Sequence, residues 1–90
     1  MQYLSGEELK QLLVDNGFWD KIQNGKLLSS IRKNTAAKII VDGSSQIILV
    51  YDEHLHFLCT LHRVVTKEGK VIHEDVKDVR LNGVLYISND

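Results

Sequence analysis

Apolar residues recur along this chain with two different periods, and the change from one to the other falls just after Asn34-Thr35. Before it, Leu9, Leu12 and Leu13 repeat at helical spacing, with Lys10, Gln11 and Asp15 among the residues left for solvent. Ser5 is placed to cap that helix and Glu8 to complete a capping box, while Leu4 and Leu9 have the spacing of a hydrophobic staple. Asn16-Gly17 supplies a stop, because Gly17 can take the left-handed conformation that closes a helix. Phe18, Trp19 and Ile22 form a short apolar turn ending at Asn24-Gly25. Leu27, Leu28 and Ile31 then predict a second helix over Lys26 to Lys33, unless Asn24-Gly25 only kinks one longer helix.

The period of two that follows predicts strands at Ala37 to Val41, Gln46 to Tyr51, Leu55 to Thr66, Val71 to Arg80 and Val84 to Ser88. Asp42-Gly43-Ser44-Ser45, Lys67-Glu68-Gly69-Lys70 and Asn82-Gly83 separate them, each with a Gly available for positive φ. Asn82-Gly83 is the strongest hairpin signal and sets Leu81 against Val84 and Val79 against Tyr86. Alternation fails near Glu74-Asp75, where a bulge is expected. In the third strand Leu55, Phe57, Cys59, Leu61 and Val65 share the face expected under the helices, with Arg63 as the exception. His54, His56, Thr60 and His62 share the other face, which one helical layer leaves half covered. Curling of the sheet, a second copy or a partner must cover it.

The expected fold is therefore α+β, with two N-terminal helices packed on one face of a five-stranded antiparallel β-meander. It forms a single domain over residues 1–90, with a helical segment 1–34 and a sheet over 37–88. The longest uncharged apolar stretch, Ile47 to Tyr51, is far below the roughly 20 residues of a membrane span. The first residues show no secretory pattern and the one Cys has no intramolecular partner, so a cytoplasmic setting is expected.

Net charge is -1, yet its distribution is polarised. Residues 21–41 carry five basic side chains (Lys21, Lys26, Arg32, Lys33, Lys38) and no acidic one, leaving six basic and twelve acidic residues elsewhere. Lys26, Arg32, Lys33 and Lys38, interleaved with Ser and Asn, suit phosphate oxygens or an acidic protein surface equally.

The histidines are the other candidate chemistry. His54 and His56 project from one strand face about 7 Å apart and can chelate a metal only with a ligand from another strand. His62 is about 20 Å farther along and cannot join them in a straight strand. Solvated strand histidines are the simpler reading, so neither a metal nor a cofactor is expected. Pairing across Lys67 to Lys70 with a three-residue loop sets His62 opposite Glu74 and His56 opposite Arg80. A histidine oriented by a carboxylate beside an arginine is the equipment of a metal-independent ribonuclease, as in small toxins. Nucleophilic catalysis has no support: Cys59 sits mid-strand on the core face, and no serine has a Gly-x-Ser-x-Gly setting.

Recognition without catalysis is the expected function. The chain would be an accessory protein in the style of bacterial or phage inhibitors and immunity factors, docking a basic helix or the half-covered sheet face on an acidic protein partner. The alternative is nucleic-acid binding or cleavage through the basic helix and the His-bearing strand. Homodimerisation through the His56/Thr60/His62 face is a third expectation.

Overall fold

The computed structural model describes residues 1–89. It is α+β, with two short helices and one six-stranded mixed sheet. In chain order the elements are β1 (Gln2–Leu4), α1 (Gly6–Asp15), α2 (Trp19–Gln23), β2 (Ser29–Ala36), β3 (Ser44–Tyr51), β4 (Phe57–Val65), β5 (Val71–Leu81) and β6 (Val84–Ser88). The sheet order is β1-β6-β5-β4-β3-β2, antiparallel throughout except that β1 runs parallel to β6.

The local signals around α1 act as their chemistry requires. The Ser5 hydroxyl accepts from the Glu8 amide, and the Glu8 carboxylate accepts from the Ser5 amide, each at 3.1 Å. At the other end Phe18 donates to the Leu13 carbonyl and Gly17 to that of Val14, the paired bonds of a Schellman stop. The same pattern ends α2, where Lys26 donates to Lys21 and Gly25 to Ile22. Asn82 and Gly83 both take positive φ, at 51° and 78°, and close the β5–β6 hairpin with Leu81 facing Val84 and Val79 facing Tyr86.

Three expectations need correction. The second helix is Trp19–Gln23, and the basic stretch expected as helix is instead the edge strand β2. Ala37 to Val41, expected as a strand, carry none, and β2 has taken the place assigned to them. A sixth strand, β1, closes the opposite edge beside β6. In the β2–β3 connection it is Asp42 that takes positive φ, at 59°. Gly43 is buried, and a Cβ there would overlap the Ile40 side chain and the Val65 carbonyl.

One core unites helices and sheet: Leu9, Leu13, Ile22 and Leu27 pack on Ile48, Val50, Leu58, Cys59, Leu61, Val76 and Val79, with Phe18 and Trp19 seated at its margin. Val76 and Val79 are three positions apart and could not both face inward on a regular strand. They do so because Lys77 is an extra residue in β5, between the pairs Leu61↔Val76 and Thr60↔Asp78. The bulge anticipated near Glu74-Asp75 thus lies at Lys77, and a second one lies at Ile72, between Val64↔His73 and Val65↔Val71. Two more fall at Arg32 in β2 and at Leu58 in β4. Each adds local twist, and the face away from the helices is partly closed within the single chain: Thr60 and Val64 are buried there.

Candidate functional site

That second face carries a cluster of polar side chains on the central strands. His62 of β4 lies directly opposite Asp75 of β5, and His73 lies diagonally beside them, opposite Val64. Asp75 Oδ2 receives His73 Nε2 at 2.7 Å, with His62 Nδ1 at 3.6 Å and Lys77 Nζ at 3.7 Å. The other ring nitrogen of His62, Nε2, shares a hydrogen bond with the Ser45 hydroxyl of β3 at 2.8 Å. The two imidazoles meet edge to face, with centroids 5.7 Å apart. Burial pushes the Asp75 carboxyl up, but the His73 hydrogen bond, the neighbouring positive charges and the His62 contact outweigh it and hold the group below its ordinary value. Beside the cluster is a cavity of about 340 Å³, walled by Thr35, Ile39, Val64 and both histidines.

Ser45, His62 and Asp75 stand in a row that resembles a nucleophile relay. The backbone argues against that use. Ser45 is the second residue of β3, already held in the ladder by pairing with Thr35 on one side and Val64 on the other, and its strand has no open edge to bind an oxyanion. As ligands the groups are better placed: His62, His73 and Asp75 offer donor atoms that all lie within 4.8 Å of one another.

The residues singled out from the sequence are divided by the structure. Glu74 faces the helices, opposite Arg63, where it ion-pairs with the guanidinium and accepts from the Gln23 amide at 2.8 Å. It is on the opposite side of the sheet from His62, so the expected His62–Glu74 pairing is off by one residue. The bulge at Ile72 causes the slip, and a slip of one exchanges faces. Arg63, the exception in the strand pattern, is thereby accounted for. His56 and Arg80 are not paired across strands, yet both line one open cleft of about 570 Å³ with Asp52 and Phe57. His54, Leu55 and His56 belong to the turn between β3 and β4, not to the strand; Leu55, expected under the helices, is exposed. Asp52 organises this turn by accepting from the His54 and His56 amides at 2.8 and 2.9 Å. These bonds, His56 foremost, hold its carboxyl below the ordinary range. Cys59 is fully buried, and desolvation, aided by Asp78, pushes its thiol up to about 12, which keeps it an inert core residue.

The basic residues Lys26, Arg32, Lys33 and Lys38 are all exposed on β2 or its flanks, and none makes an ion pair with another described residue. Lys21 is set apart from them, held to Glu53 at 3.2 Å. All eight residues of β2 are exposed, and among the described residues only β3 pairs with it. Ile31 on the strand and Leu28, Ile39 and Val41 in the segments flanking it are all well exposed. Thr60, assigned to a dimer face, is buried within the chain. No helix among the described residues is long and apolar enough to cross a membrane. Comparison of the chain with family models, with curated proteins and with solved structures finds no match in any of the three.

Proposed function

We propose that this chain is a non-catalytic recognition module that captures an acidic, extended segment of a partner protein along edge strand β2. The observation that carries the reading is an eight-residue edge strand, exposed along its whole length, with Arg32 and Lys33 on it and exposed aliphatic residues around it. A free strand edge presents amide and carbonyl groups that a second polypeptide strand can complete, with side chains setting specificity. The surplus of positive charge from Lys21 to Lys38 favours an acidic occupant and speeds its encounter. Nucleic acid is less well served: the exposed apolar residues near β2 are aliphatic, whereas stacking on bases calls for aromatic rings.

The test uses fluorescent acidic peptides of high strand propensity, matched scrambled peptides, and labelled single-stranded RNA and DNA. Peptide binding should slow hydrogen exchange at the amides of Ser29–Ala36 and weaken with salt. Arg32→Glu with Lys33→Glu should lower affinity about tenfold or more. Retention of RNA or DNA with no peptide binding would replace this reading with nucleic-acid recognition.

One observation favours a second reading, cleavage of a phosphodiester by an imidazole and a guanidinium: His56 and Arg80 share the larger cleft. It expects ribonuclease activity that His56→Ala abolishes; activity unchanged in that variant removes it.

A further inference from the structure

We propose that His62, His73 and Asp75 form a binding site for a divalent transition-metal cation, zinc by the character of its ligands. This goes beyond the recognition reading and does not depend on it.

Two imidazole nitrogens with one carboxylate oxygen suit first-row transition cations, and zinc accepts such a set with a fourth position left open. Ligand atoms about 2.1 Å from a tetrahedral zinc stand about 3.4 Å from one another. His62 Nδ1 and Asp75 Oδ2, at 3.6 Å, already have that spacing. His73 Nε2 is closer to the same oxygen, at 2.7 Å, because a proton now lies between them. A cation replaces that proton once the half-exposed His73 ring draws back by about 0.7 Å.

The framework is rigid where the ligands need it to be. All three stand on β4 and β5, neighbouring strands in the interior of the sheet. On the helix side the same stretch is locked in register by Leu61 against Val76 and by Arg63 against Glu74. The bulges at Ile72 and Lys77 bracket it and fix which face His73 and Asp75 occupy. Behind His62, the Ser45 hydroxyl engages Nε2 and so leaves Nδ1 turned toward Asp75, the supporting contact that metal-bound imidazoles characteristically have. The adjoining open pocket gives the fourth ligand room, with Val64 and Ile39 in its lining. Lys77 Nζ, 3.7 Å from Asp75 Oδ2, holds the place of positive charge; its stem is long and partly solvated, and it can leave when a cation arrives. The pair His54 and His56 offers nothing comparable, since among the described residues His62, His73 and Asp75 are the one such convergent group.

Titration calorimetry of the full chain with zinc chloride near neutral pH should show one saturable site, with magnesium chloride giving none. Cobalt chloride should give the visible spectrum of a low-coordinate centre. His73→Ala and the isosteric Asp75→Asn should each weaken zinc binding at least tenfold with circular dichroism unchanged. Ser45→Ala should weaken it about 10–100-fold through loss of ring orientation. A variant with His54→Ala and His56→Ala should bind as the parent does. The proposal is overturned by absence of saturable zinc uptake in the folded parent, by parental affinity in His73→Ala and Asp75→Asn, or by loss of binding in the His54/His56 variant.

Discussion

Leu55 has a φ of 64° in the β3–β4 turn, a left-handed conformation that a branched apolar side chain rarely takes. Its side chain recovers little in return, being 67% exposed. Leu55→Gly should therefore stabilise the protein by about 1 kcal/mol, less the extra entropy of an unfolded glycine. In a chain of this size a net gain of a few tenths of a kcal/mol raises the melting temperature by about 2 °C in calorimetry; a lower melting temperature would mean the leucine is held by packing. Asp52, three residues earlier, stabilises the same turn through its carboxylate. Its folded pKa is depressed, so its contribution is complete above the ordinary Asp value and disappears as pH falls through the folded one. Asp52→Asn should be less stable than the parent at neutral pH, and the gap in urea midpoints should close as pH drops below about 4. A gap that stays constant to low pH would show that the carboxylate's charge is not what the turn uses.

At the scale of elements, the parts legible in the sequence were those specified by neighbours in the chain. The capping box Ser5–Glu8, the stop at Gly17 and the Asn82-Gly83 hairpin each depend on a few consecutive residues, and all formed as their chemistry dictates. The basic segment misled because Leu27, Leu28 and Ile31 over eight residues fit a helical stripe. As an edge strand, exposed all along, β2 shows no alternation to betray it. The metal-ligating group was hidden by the Ile72 bulge, since a regular hairpin gives His62 the partner Glu74 instead of Asp75. The trace that was available is His73-x-Asp75, two ligand types at the strand period following the consecutive apolar pair Val71-Ile72. Glu74 thereby becomes a structural residue. Glu74→Ala leaves the half-buried Arg63 guanidinium and the Gln23 amide without their acceptor, and should cost about 1–3 kcal/mol in chemical denaturation. A loss near zero would mean that Arg63 finds solvent or another acceptor at no penalty.

Across the whole molecule the sheet has two unlike edges. β1 is three residues long and runs into α1, which leaves little for another chain to pair with, whereas β2 offers eight. An open edge of that length, with Leu28, Ile31, Ile39 and Val41 exposed near it, invites the chain to pair with itself. What opposes this is charge. Two copies joined through β2 bring Arg32 and Lys33 of each against the other, and the compensating acidic residues lie elsewhere on the molecule. The same charges that favour an acidic strand thus reject a second β2, a case of one feature serving both attraction and exclusion. Arg32→Thr with Lys33→Val keeps strand propensity and removes the repulsion. Light scattering should then show growth from 10.3 kDa toward twice that mass at micromolar concentration, with the parent monomeric at low salt and drawn toward association as salt screens the edge. A parent that is already dimeric at low salt, with β2 amides protected from exchange, would mean that the edge is occupied by its own copy and that no acidic partner is needed to explain it.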